Sequence, residues 1–108
     1  MKKPLKPYTK ELIINSFDLE SPTTLSESEL EKILAERVEY LLANRLEFFF
    51  AAMYRMDIQE AKIHQVLNSN QARPALAIAR LIIQRQKEKQ ASREKYRSET
   101  DFFDDSLD

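Results

Sequence analysis

From Leu30 onward apolar residues recur at helical spacing. Leu30, Ile33, Leu34, Val38, Leu41, Leu42, Phe48, Phe49 and Met53 share one broad side, with Lys32, Glu36, Glu39 and Glu47 opposite. The stretch LSESEL opens the run: Ser26 is the natural N-cap, Glu29 completes a capping box, and Leu25 and Leu30 take the two hydrophobic-staple positions. The pattern predicts one long helix ending near Arg55. A second capping signal follows, Asp57 with Glu60 returning the bond, and predicts a short helix through Leu67 that turns Ile63, Val66 and Leu67 inward. NSNQAR reads as a loop in which Asn68 or Asn70 takes the left-handed C-cap role of a glycine. Pro74 suits the first turn of a third helix that should run to about Arg97.

The third helix changes character along its length. Ala75, Leu76, Ile78, Ala79, Leu81, Ile82 and Ile83 make its first half apolar around most of the circumference, and Arg85, Lys89, Arg93 and Arg97 then recur every four residues. The spacing predicts that core contacts stop near Ile83. Residues 1–24 carry no sustained period and read as a partly extended arm, in which LIINSF could be a short strand or one helical turn. The dense stretch FFFAAMYRMDIQEAKIHQVL lies where the long helix ends and the short one turns back, so its aromatic and methionine side chains read as the corner of a core.

Composition narrows the chemistry. The chain of 108 residues has no glycine, where average usage would give about eight. That removes the glycine-rich phosphate cradles and disfavours tight hairpins. Cysteine is absent, which excludes thiol catalysis, disulfides and zinc–thiolate sites. No window approaches 18 consecutive apolar residues, so no membrane span is predicted. MKKPLKPYTKE has a basic start with no long apolar stretch behind it, so no secretory leader is expected and a cytoplasmic location is. The net charge of −1 conceals blocks: +4 over residues 1–10, −5 over 11–29, +5 over 80–97 and −5 over 98–108.

No catalytic, cofactor-binding or metal-binding constellation emerges, and an enzyme is not expected. His64, the one histidine, follows Glu60 by four residues, but a metal site needs about four ligands and the chain supplies no second pair. Arg45 falls in the middle of the apolar side, between Leu41, Leu42, Phe48 and Phe49. A buried guanidinium must meet a carboxylate or snorkel out, and its alternative use is contact with a partner. The stripe Arg85, Lys89, Arg93 and Arg97 has three readings: a solvated face, pairing within the protein with Glu27, Glu29, Glu31 or the acidic tail, or phosphate binding. Nucleic acid is disfavoured, because five negative charges follow directly and PALAIARLII is too apolar to lie in a groove. The tail ETDFFDDSLD, with Phe102 and Phe103 among acids, reads as a disordered segment, either simply solvated or able to dock as a short linear motif.

The stretches LEFFFAAMYRMDIQEAKIHQVL and PALAIARLIIQRQKEK resemble a group of small, uncharacterised bacterial helical proteins. In that group a Tyr-Arg-apolar-Asp turn precedes a short helix carrying a lysine, and an apolar helix ending in Ile-Ile-x-Arg-Gln follows. The matching positions are Tyr54, Arg55, Met56, Asp57, Lys62, Ile82, Ile83, Arg85 and Gln86, and the likeness spans roughly residues 30–90. It implies an all-helical architecture and no activity.

The sequence thus predicts an all-α protein with a three-helix core, long, short and long, over residues 25–97. An N-terminal arm (1–24) and an acidic tail (98–108) flank it. A core of about 70 ordered residues is small to stand alone. Leu30, Ile33, Leu34, Val38, Leu41, Leu42 and Arg45 lack a partner if the third helix stops contributing at Ile83. Either the arm covers them or a second copy does, and a helical homodimer is expected. The function class expected is a protein-interaction or structural module, with a nucleic-acid binder using the basic stripe as the alternative.

Overall fold

The computed structural model describes the backbone of residues 4–22 and 24–107 and the side chains of residues 4–22 and 24–95. Five helices follow one another: α1 (Pro7–Ser16), α2 (Glu27–Asn44), α3 (Leu46–Arg55), α4 (Glu60–Asn68) and α5 (Pro74–Leu107). No strand occurs among the described residues. The capping box forms as its spacing predicts, with Ser26 Oγ accepting from Glu29 N–H at 3.1 Å and Glu29 Oε1 accepting from Ser26 N–H at 3.0 Å. Those bonds hold the Glu29 carboxyl below its ordinary value, the Ser26 backbone donor acting most strongly.

The long helix expected over residues 26–55 is broken at Arg45, which adopts φ −143°, ψ 64° between α2 and α3. Neither proline nor glycine marks the place. A straight helix would have kept Arg45 in the middle of the apolar side. The break leaves it exposed while Phe49, Ala52 and Met53 enter the core. α2 and α5 form the main packing pair and run antiparallel, tied by Glu31–Arg80 at 2.9 Å and Glu27–Lys87 at 2.6 Å.

The arm is helical rather than extended. Pro7 starts α1 at the position where its missing N–H costs nothing. Ile13 and Phe17 are fully buried, and Leu5, Ile14 and Leu19 nearly so, while Leu12 points outward. Polar ties bind the arm as well as apolar contacts: Lys10 Nζ donates to the Leu25 carbonyl at 2.7 Å, and Gln90 of α5 holds its start. Gln90 Oε1 accepts from Lys6 N–H at 2.9 Å and from Thr9 Oγ at 2.7 Å, and its Nε2 donates to the Pro4 carbonyl at 3.0 Å.

This docking corrects the inference of uncovered surface. Leu30, Leu34, Val38 and Leu41 are 0% exposed within one chain, and Ile33 and Leu42 pack partly buried against the same core. The single chain itself covers Leu30, Leu34, Val38 and Leu41, so these residues need no second copy to shelter them. The expected end of core contacts at Ile83 is corrected too. The inward face of α5 continues through Gln86 and Gln90, 1% and 2% exposed, with Gln86 Nε2 donating to the Met56 carbonyl at 2.8 Å. Polar type disguised these as surface positions. α5 also runs past the expected stop at Arg97 to Leu107, where a disordered tail was expected.

Helix ends solve the lack of glycine in an unforeseen way. Two residues, Asp18 and Asp57, take left-handed φ values of 55° and 60° among the described residues. After α1, Asp18 N–H bonds the Asn15 carbonyl and Leu19 N–H the Ile14 carbonyl; after α3, Asp57 N–H bonds the Tyr54 carbonyl and Ile58 N–H the Met53 carbonyl. Both are Schellman motifs, each sealed by an apolar residue just beyond it, Leu19 or Ile58. Asp57 therefore ends α3 and does not cap α4, whose N-cap is Gln59 without a side-chain bond. The C-cap of α4 is Ser69 in extended conformation, so Asn68 and Asn70 do not play the expected left-handed role.

Two stability measurements follow. Replacing Gln90 with Ala strands Lys6 N–H and the buried Thr9 hydroxyl, and unfolding free energy should fall by about 2–3 kcal/mol. Tryptic cleavage at Lys10 should accelerate, neither effect appearing in the exposed control Gln65→Ala. Asp18→Gly should raise stability by about 0.5–1 kcal/mol because glycine accepts the left-handed conformation without strain, whereas Asp18→Ala should lower it. Denaturant titration of the two variants against the parent checks the pair.

A candidate docking face of three arginines

Three guanidiniums gather around the ring of Phe48. The guanidinium carbons of Arg45, Arg37 and Arg55 lie 4.9, 5.8 and 5.9 Å from its ring centroid, and Arg37 also lies 5.3 Å from the ring of Tyr40. The helices supply these side chains by register. Arg37 and Tyr40 share a side of α2, Phe48 and Arg55 share a side of α3, and the break between the two helices contributes Arg45.

Two of the three arginines have structural employment. Arg37 Nε donates to the Phe17 carbonyl at 3.0 Å and Arg55 Nη2 to the Ser16 carbonyl at 2.9 Å. They satisfy carbonyls at the C-terminus of α1 and place positive charge at the negative end of its dipole. Arg37 also stands 3.9 Å from Asp18, whose side chain is 78% exposed. Arg45 is different. The sequence expectation of a carboxylate for Arg45 is not met among the described residues, and its contact is the Phe48 ring alone. Each stacked pair is worth about 0.5–1 kcal/mol at an exposed site. Neither the stacking nor one carbonyl per guanidinium uses up the donors, since each guanidinium carries five N–H groups.

Two members of the basic stripe of α5, Arg85 and Lys89, are ion-paired within the chain. Arg85 Nη2 bonds Asp57 Oδ2 at 2.8 Å, its Nε bonds the Asp57 carbonyl at 3.2 Å, and Glu88 lies 3.4 Å from Nη1. Lys89 is 3.6 Å from the same Asp57 carboxylate, and Arg93 lies over the ring of Tyr8 at 5.5 Å. The side chain of Arg97 is outside the described residues. Of the three readings, pairing within the protein holds for Arg85 and Lys89, but the acid is Asp57. Glu27 and Glu31 pair instead with Lys87 and Arg80. Residues of the Tyr-Arg-Met-Asp turn and the Ile-Ile-x-Arg-Gln helix thus meet: Asp57 with Arg85, and the Met56 carbonyl with Gln86.

Other surface features are less pointed. His64 lies at the surface with Nε2 3.4 Å from Glu60 and its ring 6.1 Å from Phe50, the half-exposed position expected of it. An open groove of about 640 Å³ separates α2 from the start of α5, with apolar Leu42, Ala75 and Leu76 in its wall. Its rim balances Lys32 and Arg73 against Glu36 and Glu39, so it selects no charge. No helix among the described residues is long and apolar enough to cross a membrane. Sequence reasoning singled out Arg45 but missed Arg37, Tyr40 and Arg55, because nothing in linear spacing brings α2 and α3 back onto one ring.

The Asp57 pairing has a pH signature. The hydrogen bond from Arg85, aided by the Lys89 charge, holds the Asp57 carboxyl below the ordinary aspartate range and raises Arg85 in turn. A carboxylate depressed in the folded state contributes stability in full above its unfolded value, about 3.9, and loses it as pH falls through the folded value. Asp57→Asn keeps a side chain that tolerates left-handed backbone and removes the charge. The variant should be less stable than the parent at neutral pH, the gap closing as pH falls below about 4. Urea titrations across that range measure it, and a gap independent of pH would refute the pairing.

The chain matches no family model, and no curated protein and no solved structure is detectably similar to it.

Proposed function

We propose that the protein is a protein-interaction module and that its working surface is the face formed by Arg37, Tyr40, Arg45, Phe48 and Arg55. The observation that carries this reading is the Arg45 guanidinium, a cation beside two others around one aromatic ring, with no oxygen of the described residues bonded to that guanidinium. Guanidiniums present planar forks that match carboxylates in pairs. An aromatic floor adds apolar contact for whatever side chain accompanies the acid. The chemistry selected is a short acidic segment containing an aromatic or aliphatic residue. Interfaces favour this pairing of arginine with aromatic residues.

An acidic partner is preferred over nucleic acid for two reasons. The chain as a whole is weakly acidic at −1, whereas phosphate binding is driven by a broad basic surface. The basic stripe of α5, the alternative carrier, has Arg85 and Lys89 committed to Asp57.

The experiment is a polarisation titration with a labelled oligoglutamate peptide containing one phenylalanine, run beside a labelled single-stranded oligonucleotide. The peptide should bind, weaken as salt rises, and lose about tenfold in affinity with Arg45→Glu while Lys62→Glu changes nothing. Arg45 is the residue of choice because it holds no backbone group of α1. Absence of peptide binding at low salt, or an undiminished Arg45→Glu protein, refutes the reading. Tighter binding of the oligonucleotide would transfer the face to nucleic acid.

A further inference from the structure

We infer that the acidic segment fitting this face is residues 98–108 of a second copy of the chain. The inference rests on the reading of the face as an acid-binding surface and names its occupant. Charge complementarity is the first argument. SETDFFDDSLD carries −5 and two adjacent phenylalanines, the composition the arginine and aromatic face selects, and no other stretch of the chain joins the two features so closely. Asp101, Asp104 and Asp105 are spaced i, i+3 and i+4 in the sequence.

The direction of α5 is the argument for a second copy. α5 runs antiparallel to α2, Glu31 meeting Arg80 and Glu27 meeting Lys87. The end of α2, at Leu42 and Ala43, therefore borders the start of α5 at Ala75 and Leu76, and Arg45 follows directly. From Pro74 to Ser98 a helix advances about 36 Å. Continuous helix through Leu107 carries the acidic segment farther from the elbow of its own chain. Gln90 and Glu94 meet Pro4, Thr9 and Lys6 at the far pole from Arg45, and α5 continues past them to Leu107. The acidic segment beyond that pole is therefore assigned to the arginine face of a neighbouring molecule and not to its own. Two molecules related by a two-fold axis can exchange these segments reciprocally, so that each contact raises the effective concentration of the other.

This pairing uses a surface unrelated to the buried residues Leu30, Leu34, Val38 and Leu41. It predicts electrostatic, salt-sensitive association, whereas an apolar helical interface would persist at high salt.

Light scattering of the full chain over a range of concentrations tests the inference. At low salt the mass should exceed that of one chain and fall to one chain as salt rises. Arg45→Glu should abolish the excess. So should a full-length variant carrying Asp101→Asn, Asp104→Asn, Asp105→Asn, Phe102→Ser and Phe103→Ser, with thermal midpoints confirming that both remain folded. A synthetic peptide of residues 98–108 should compete, and its own affinity should drop about tenfold against Arg45→Glu. A mass of one chain at every concentration overturns the second copy. Association that survives either variant overturns the contact. Binding of oligoglutamate to the face without binding of the 98–108 peptide overturns this inference while leaving the acid-binding reading intact; failure of both peptides removes both.

Discussion

A helix of ten residues is too short to hold itself in water, and α1 exists because other helices bond both of its ends. Gln90 takes the three polar groups at its start, and Arg37 and Arg55 take the carbonyls at its finish. Between those anchors Ile13, Ile14 and Phe17 go into the core. The arrangement is cooperative in a simple sense. Burial of the apolar side alone would leave helix-end groups without water, and the anchors alone would pin a helix with nothing to gain from being pinned. With both present the arm closes the core, and a chain without disulfides covers its long helix unaided.

The second constraint is the missing glycine. Two tight reversals of the chain, after α1 and after α3, need a residue at positive φ, and aspartate supplies it at each. A non-glycine residue there costs of order 1 kcal/mol. Aspartate brings something back that glycine could not. Asp57 collects Arg85 and Lys89, and Asp18 stands near Arg37. The reversal after α3 is thereby joined to the middle of α5 twice, by this ion pair and by Gln86 on the Met56 carbonyl. The pairs are exposed, so water screens most of their strength; their service is to fix where the α3–α4 corner sits on α5.

How much of this was legible in the sequence depends on whether a feature is local. Ser26 and Glu29 announce the start of α2 because a capping box lies within four residues, and Pro74 announces α5 for the same reason. The core corner was legible from periodicity: Phe49, Met53, Met56 and Ile63 are at most 1% exposed. What escaped was decided by distant partners. LIINSF carries too few residues for its period to speak, and Thr9 is buried because of Gln90 rather than for any reason of its own. Gln86 and Gln90 continue the inward face of α5 in polar dress. Asp57 was recognised as a cap, but an aspartate followed by a glutamate three residues later looks the same whether it begins one helix or ends the previous one.

Arg45 connects fold to surface. Its place in the apolar pattern was correctly read as an anomaly, and a carboxylate was the economical solution. The chain instead breaks the helix and turns the guanidinium out over Phe48. Burying it would have required a paired acid in the core, which rarely stabilises more than well-packed apolar residues do. Breaking the helix forfeits regular hydrogen bonding at one residue, and Arg45 N–H still reaches the Leu41 carbonyl at 2.8 Å. The remaining consequence concerns Arg37 and Arg55, which hold α1 and also border the face. An acid arriving over Phe48 adds negative charge beside two cations that already bond the end of α1, so it offsets their mutual repulsion with Arg45 without needing to displace a carbonyl. Occupancy of the face and closure of the arm are therefore expected to reinforce each other, because both are satisfied by the same guanidiniums held in one geometry.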